Sequence, residues 1–181
     1  MATIAVHEFI SADGVFEDPR WTFDHGFDPE MGEDLAAITS AARAILLGRV
    51  TYEMFAPAWS TRTAEDDPGA PFFNDTPKYV VASRTPSVTW GPSTVLDGYD
   101  PAAIRRLTEE LDGVIYVSGS GTLVRALLAD GLVDDLHLFV YPVVLGSGAR
   151  LLAEGTPRIP LRLKEVDRYD NGVVHLDYGP G

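Results

Sequence analysis

The chain has 181 residues, no cysteine and a formal net charge of −13, from 27 acidic and 14 basic side chains. The missing cysteines exclude disulfide frameworks, Cys-zinc sites and thiol nucleophiles. The acidity argues against nucleic acid or an anionic membrane as a partner, since basic patches bind both. The length fits one domain over residues 1–181. With no basic leader and no long apolar run, we expect a cytoplasmic protein.

The first third of the chain predicts a strand, an aromatic loop and a helix. Thr3–Ile10 reads as a strand that ends at an Asp-Gly turn, Asp13-Gly14. The loop Val15–Pro29 carries several aromatic side chains among acids and prolines, and we expect them to line a pocket or cover a core edge. Glu30–Arg43 predicts a helix with acids near its N-terminus. One face of this helix is apolar: Leu35, Ile38 and Ala42.

The middle of the chain alternates between apolar runs and polar connections. Three of these runs predict strands: Ala44–Leu47, Tyr79–Ala82 and Thr94–Leu96. Between the first two, Val50–Phe55 predicts a short helix stopped by Pro57. Ala58–Pro77 predicts a long acidic surface loop.

The last part predicts two helices separated by a buried strand. Asp100 is the expected N-cap of a helix with Pro101 at its first position. Val114–Val117 predicts a buried strand, followed by Ser-Gly-Ser-Gly-Thr and then a helix that Gly131 closes.

Two further segments predict the strands that complete the sheet. Leu136–Leu145 is apolar on both faces and predicts a central strand, with a bulge or an edge at Pro142. Leu161–Tyr169 and Val173–Tyr178 predict a hairpin around an Asn-Gly turn. Strands that alternate with helices indicate an α/β fold with a mostly parallel sheet covered on both faces, to which the hairpin adds antiparallel strands.

The glycine-rich turn after Val114–Val117 is the segment that we expect to bind phosphate. Glycines let the backbone approach an anion, and the first N–H groups of the next helix point at it. The common dinucleotide fingerprint is absent, because the third glycine is missing and no acid follows about 20 residues on. P-loop and nucleophile-elbow motifs are also absent. The alternative is a tight connection with no ligand.

Two other predicted strands end in arginine-bearing segments. One delivers Gly48, Arg49 and Thr51, and the other delivers Ser83 and Arg84. The carboxyl ends of parallel strands meet at one edge, where such sheets bind ligands. We therefore expect a pyrophosphate at the helix starts and a third phosphate between the two arginines. The alternative is that both arginines pair with surface acids.

The four histidines do not have the spacing of metal ligands: His7, His25, His137 and His175. We predict no metal site and expect structural roles for the three in strands. Only His25, in the aromatic loop, is a candidate for function.

Five motifs in order resemble bacterial dihydrofolate reductase-like proteins, in particular the reductase domain of the riboflavin-biosynthesis deaminase-reductase. The motifs are residues 11–14, 47–53, 81–85, 117–123 and 142–148. The resemblance covers about Thr3 to Tyr178. It implies a three-layer α/β/α dihydrofolate reductase-like sandwich that binds NADPH and transfers a hydride to a small heterocycle.

The resemblance also implies roles for individual residues of the cofactor site. Gly48, Arg49 and Thr51, with Ser83 and Arg84, would hold the 2′-phosphate of the adenosine. The pyrophosphate would lie on a run of five residues: Ser118, Gly119, Ser120, Gly121 and Thr122. Leu145 and Gly146 would lie near the nicotinamide.

On the substrate side, the resemblance implies a carboxylate on the first helix. Asp34 is the candidate there, with Glu33 beside it; Asp13 is a second catalytic candidate and Trp21 a substrate contact. The zinc deaminase module is missing, so the substrate stays open between pterin- or folate-like and pyrimidine-like compounds. The alternative is a nucleotide-binding protein of this fold without turnover. A homodimer is implied, with Leu136–Val144 and the terminal hairpin as its candidate seam.

Overall fold

Eight strands form the sheet of the computed structural model, which describes residues 1–181. In chain order they are β1 (Thr3–Ser11), β2 (Ala42–Gly48), β3 (Lys78–Ala82), β4 (Ser93–Asp97), β5 (Val114–Val117), β6 (Asp135–Tyr141), β7 (Leu161–Arg168) and β8 (Val174–Pro180). The hydrogen-bonded order is β4-β3-β2-β5-β1-β6-β8-β7. β1 to β6 pair in parallel, whereas β8 is antiparallel to β6 and β7. The predicted mostly parallel sheet with a closing hairpin is confirmed.

Helices cover both faces of this sheet. They are α1 (Pro29–Ser40), α2 (Arg49–Trp59), α3 (Ala70–Asp75), α4 (Pro101–Glu110) and α5 (Gly121–Ala129), with a 3-10 helix over Pro19–His25. α4 and α5 pack on one face around a cluster of 18 buried apolar residues, and α1 to α3 cover the other face with two smaller clusters. The predicted three-layer sandwich is confirmed. Every helix is too short or too polar to traverse a bilayer.

Alternate residues of β1 face the two helical layers. Ile4 and Val6 belong to the cluster under α4 and α5, whereas Phe9 packs against the cluster under α1. Because side chains alternate along a strand, Glu8 faces the α5 layer and His7 faces the α1 layer. Both faces of the strand are buried, which explains its nearly continuous apolar sequence.

The first helix ends earlier than its spacing predicts. α1 stops at Ser40, and Ala42 and Arg43 belong to β2. Ala42 is buried and is the register partner of Val114 in β5. Strand pairing therefore outweighs the helical spacing that places Ala42 on the apolar face of the helix.

The second helix continues past the proline predicted to stop it. α2 runs to Trp59 with Pro57 inside it. Trp59 stacks on Phe73, with ring centroids 4.3 Å apart. Phe73 belongs to α3, which lies within the predicted loop Ala58–Pro77. Packing between the two helices thus stabilises the last turn of α2 and orders part of that loop.

The strand predicted over Leu136–Leu145 ends at Tyr141, one residue before Pro142. Proline has no N–H to donate, so the ladder stops there and no bulge is needed. β8 and β7 lie outside β6 in the sheet. Residues Leu136–Tyr141 of the candidate dimer seam therefore lie inside the sheet, and β7 forms the free edge on the hairpin side.

Candidate functional site

The five adjacent strands β3, β2, β5, β1 and β6 are parallel, so their carboxyl ends form one continuous edge. The predicted cofactor residues lie at the ends of four of these strands. Ser83 and Arg84 follow β3, Gly48 ends β2 and precedes Arg49 and Thr51, Ser118 to Thr122 follow β5, and Leu145 and Gly146 lie beyond β6. Four inter-strand steps span roughly 19 Å. The structure therefore brings all of these residues to one edge of the sheet.

The loops that follow β2 and β5 are in close contact. The Gly48 N–H donates to the Gly119 carbonyl over 3.3 Å. A Cβ on Gly48 would lie 2.3 Å from Ser120 Oγ, and a Cβ on Gly119 would lie 2.8 Å from Thr51 Oγ1. Gly119 also has a φ of +74°, which disfavours a side chain. These glycines therefore keep two helix starts side by side at the sheet edge.

Both helix starts have N–H groups that no side chain caps. Gly48 is the N-cap of α2 and has no side chain, and Ser120 is the N-cap of α5 without a side-chain cap bond. First-turn N–H groups without an intrahelical partner attract anions, aided by the helix dipole. The two adjacent helix starts therefore offer N–H groups suited to an anion such as a pyrophosphate.

The two arginines are held differently. Arg49 forms an ion pair with Glu53, one turn further along α2. The other oxygen of Glu53 accepts from the backbone N–H and the hydroxyl of Ser87, at 2.7 and 2.9 Å. These hydrogen bonds from Ser87, then the charges of Arg49 and Arg84, lower the pKa of Glu53. Glu53 thus links Arg49 to the loop that carries Arg84. The Arg84 side chain itself is exposed.

Asp13 connects the turn after β1 to the loop after β6. Its carboxylate accepts from Ser11 Oγ at 2.6 Å, from the Leu145 N–H at 3.1 Å and from the Gly146 N–H at 3.0 Å. Arg150 donates to the Asp13 carbonyl at 2.8 Å. The Ser11 hydroxyl, followed by the Leu145 N–H, lowers the pKa of Asp13 to about 2. This geometry favours a positioning role for Asp13 over proton transfer near neutral pH.

We expect Asp13→Asn to lower the thermal midpoint, because an amide cannot accept all of these N–H and O–H groups. The folded pKa of Asp13 is below its unfolded value, so its contribution is present above about pH 4 and is lost as the pH falls towards 2. Thermal unfolding from pH 7 to pH 2 should show the gap to wild type closing. Asp24→Asn, an exposed acid, is the control. A gap that does not change with pH would contradict this explanation.

Asp34 lies on the α1 face of the sheet, beside the turn of the hairpin. Its Oδ2 accepts from the Tyr169 hydroxyl at 2.6 Å. Burial, followed by this hydrogen bond, raises the pKa of Tyr169. The two predicted catalytic acids thus have different partners: Asp13 contacts Leu145 and Gly146, whereas Asp34 contacts Tyr169. Their catalytic roles stay predictions.

The aromatic loop covers the core at the ends of β1 and β6. Trp21 and His25 both pack edge-on against Tyr141, with ring centroids 5.4 Å apart in each pair. The Trp21 indole N–H donates to the Glu17 carbonyl at 3.2 Å. Trp21 therefore lies at the C-terminal end of β6, and its role as a substrate contact stays a prediction.

Sequence reasoning missed a buried carboxyl directly beneath the glycine turn. Glu8 is 6% exposed, and its Oε1 is buried without a hydrogen-bond partner. Burial raises the pKa of Glu8 to about 8, against the opposing effect of the nearby Gly119 backbone N–H. The signal in the sequence was a lone acid inside the apolar run of the first strand.

A histidine of the same strand lies on the opposite face. His7 Nδ1 is 2.7 Å from the Tyr116 hydroxyl, and Nε2 is buried without a partner. Burial, followed by the charges of His137 and His175, lowers the pKa of His7 to about 3. His7 is therefore a neutral hydrogen-bonding residue buried between the sheet and the α1 layer.

The fold is shared with reductases of known structure. A protein of Shewanella sp. PV-4 named for riboflavin biosynthesis is 18% identical, with a TM-score of 0.80 over 100% of this chain and 99% of that one. The deaminase/5-amino-6-(5-phosphoribosylamino)uracil reductase of Thermotoga maritima is 14% identical, with a TM-score of 0.71 over 99% and 57%. Dihydrofolate reductase from Enterococcus faecalis, complexed with NADP(H), is 14% identical, with a TM-score of 0.59 over 99% and 96%.

Sequence comparison identifies the family. The uncharacterized protein YyaP of Bacillus subtilis (strain 168) is 24% identical over 172 residues, which cover 93% of this chain and 90% of that protein. The family model described as RibD C-terminal domain matches residues 2–175. The resemblance inferred from the five motifs is confirmed, and the chain belongs to the RibD C-terminal domain family, which has a reductase-type fold.

Proposed function

We propose that this protein is an NADPH-dependent reductase that transfers a hydride to a small heterocyclic substrate. The observation that carries the proposal is that two arginine-bearing segments, the glycine-rich turn and the loop with Leu145 and Gly146 all lie at the carboxyl ends of parallel strands. The NADP(H) complex of the Enterococcus enzyme, which shares the fold, supports the choice of cofactor. Bound NADPH would supply the hydride, and the protein would orient it and exclude water.

The residues at the edge fit a dinucleotide in a definite direction. The pyrophosphate would lie on the N–H groups of α5 and α2, in the cradle formed where Gly48 and Gly119 let the two loops pack together. The 2′-phosphate would lie between Arg49 and Arg84 after β2 and β3. The nicotinamide would then reach the end of β1, where Asp13 holds Leu145 and Gly146 in place.

Replacing Arg84 by alanine tests this direction. A hydrogen bond to a charged group contributes about 1.5–3 kcal/mol, so we expect NADPH to bind at least roughly tenfold more weakly. NADH has no 2′-phosphate, and its affinity should change by less than about twofold. Both dissociation constants are measured by quenching of intrinsic fluorescence.

Arg106→Ala is the matched control, because this exposed arginine lies on α4, outside the edge. It should change neither affinity. Equal losses for NADPH and NADH in Arg84→Ala would overturn the assignment of Arg84 to the 2′-phosphate.

The substrate is proposed as a pterin- or folate-like compound or a riboflavin-pathway pyrimidine. The Thermotoga relative of this fold is named for the reduction of a phosphoribosylaminouracil, which supports the pyrimidine class. Oxidation of NADPH, followed at 340 nm with dihydrofolate, other pterins and aminopyrimidines, separates these classes.

A nucleotide-binding protein without turnover is the second candidate. The observation that favours it is that both candidate acids are engaged: the Asp13 carboxylate holds a loop, and the Asp34 carboxylate accepts from the Tyr169 hydroxyl. NADPH binding without oxidation by any of these substrates would support it.

We further propose that the protein forms a homodimer through the free edge of β7. Leu161, Leu163 and Val166 on this strand are 38%, 50% and 56% exposed. An eight-residue edge strand with exposed apolar side chains is a ready site for pairing with a second chain. Light scattering after size exclusion should give twice the monomer mass, and L163E should give the monomer mass.

A further inference from the structure

Three potential metal ligands from three separate elements meet beside the hairpin. They are Asp34 on α1, Asp167 on β7 and His175 on β8, and one ligand atom from each lies within 4.8 Å of the others. Asp167 and His175 are register partners in the hairpin. The two acids are half-buried, and the histidine is buried.

His175 points an unpartnered nitrogen into this cluster. The residue is 5% exposed, and its ring stacks on Phe139 with centroids 4.4 Å apart. Nδ1 makes no hydrogen bond and lies 3.3 Å from Asp167 Oδ2. A buried polar nitrogen without a partner is costly, so this arrangement lacks a group that would satisfy it.

The neighbouring hydrogen bonds orient the ligands. His175 Nε2 is 3.1 Å from His137 Nδ1. In the tautomer whose Nε2–H donates to His137, the Nδ1 lone pair of His175 faces the two carboxylates. Tyr169 donates to Asp34 Oδ2 and fixes that carboxylate. Metal-bound histidines and carboxylates are held by outer hydrogen bonds of this kind.

We propose that Asp34, Asp167 and His175 bind one divalent transition-metal cation, with Zn²⁺ and Co²⁺ as the preferred ions. One imidazole and two carboxylates form a mixed N/O set, which suits these ions better than Mg²⁺, an ion that prefers oxygen ligands and an octahedral shell. Three protein ligands leave a position for water. The bound ion would join α1 to the hairpin and stabilise the folded state, since ligands that bind only the folded state do so.

The test uses the full chain without an affinity tag, stripped with EDTA and titrated with Zn²⁺, Co²⁺ or Mg²⁺ by calorimetry and thermal shift. We expect one Zn²⁺ per chain, a raised thermal midpoint, a visible Co²⁺ band, and no shift with Mg²⁺. Asp167→Asn should weaken Zn²⁺ binding more than tenfold and abolish the thermal shift. Asp170→Asn, an exposed acid in the same hairpin, is the control and should bind like wild type.

His175→Gln is a second variant that keeps a polar side chain of similar size. Circular dichroism of the metal-free variants establishes that they are folded; if His175→Gln unfolds, Asp167→Asn decides the matter alone. Binding of less than one Zn²⁺ per chain would overturn the proposal. Equal affinity in Asp167→Asn and Asp170→Asn would also overturn it, because that result would assign the ion to surface acids. The readouts need no NADPH, so they stand or fall independently of the reductase proposal.

Discussion

Glu8→Gln is expected to remove a pH-dependent loss of stability that the wild-type protein shows between about pH 4.5 and pH 8. The carboxyl group has a pKa of about 8 when folded and 4.5 as its ordinary value, because burial disfavours the charged form. Between these values the folded chain holds a proton that the unfolded chain releases. Stability is therefore full below pH 4.5 and falls as pH rises, by at most about 1.4 kcal/mol per pH unit.

Glutamine keeps the shape of Glu8 and stays neutral, so the urea midpoint of the variant should not carry this slope. The difference between variant and wild type should grow from pH 5 to pH 8 and then level off. Glu109→Gln on α4 removes an exposed acid and serves as the control, which should follow wild type. Parallel curves for wild type and Glu8→Gln would contradict a neutral buried Glu8.

The same substitution has an expected effect on NADPH, which rests on the proposed function. An ionised Glu8 would place a negative charge beneath the Gly119 turn, where the pyrophosphate is proposed to bind. The NADPH affinity of the wild type should therefore fall as the pH rises through about 8, while that of Glu8→Gln should stay flat. If the stability curves behave as expected but the affinities do not, the pyrophosphate position is wrong and Glu8 is a purely structural residue.

The fold and the line of cofactor candidates are predictable because they depend on local patterns. Apolar runs alternating with helical spacing predict parallel strands, and parallel strands bring their carboxyl ends together. Gly48, Arg84 and Ser118 can thus be assigned to one edge before any strand order is known. Their adjacency on β2, β3 and β5 is what the structure adds.

The features that sequence reasoning misses depend on contacts between distant residues. Asp34, Asp167 and His175 lie too far apart in the chain for any spacing rule to join them, and only the packing of α1 against the hairpin does so. The sequence around Asp13 indicates a turn former or a catalytic acid, whereas its carboxylate accepts two N–H groups from a loop more than 130 residues away. Pro57 predicts the end of a helix, and this prediction is wrong because the sequence does not show that Trp59 stacks on Phe73.

Gly119→Ala is expected to weaken NADPH binding at least tenfold and to lower stability. Two costs contribute to the loss of stability. A side chain at a φ of +74° costs about 1–2 kcal/mol, and a Cβ 2.8 Å from Thr51 Oγ1 overpacks the joint between the two helix starts by roughly 1–3 kcal/mol. Affinity falls because relieving that contact moves the N–H groups of α2 and α5 that would hold the pyrophosphate.

Gly98→Ala separates the two costs. Gly98 has the same φ of +74°, but a Cβ added there would have nothing within 4 Å, so this variant should show only the backbone cost and bind NADPH normally. Thr51→Ala removes the nearest atoms from Gly119. The double variant Gly119→Ala/Thr51→Ala should therefore be more stable than the sum of the two single changes predicts. Additive effects on the urea midpoint would show that the Gly119–Thr51 contact is loose, and the proposed cradle would then lose its basis.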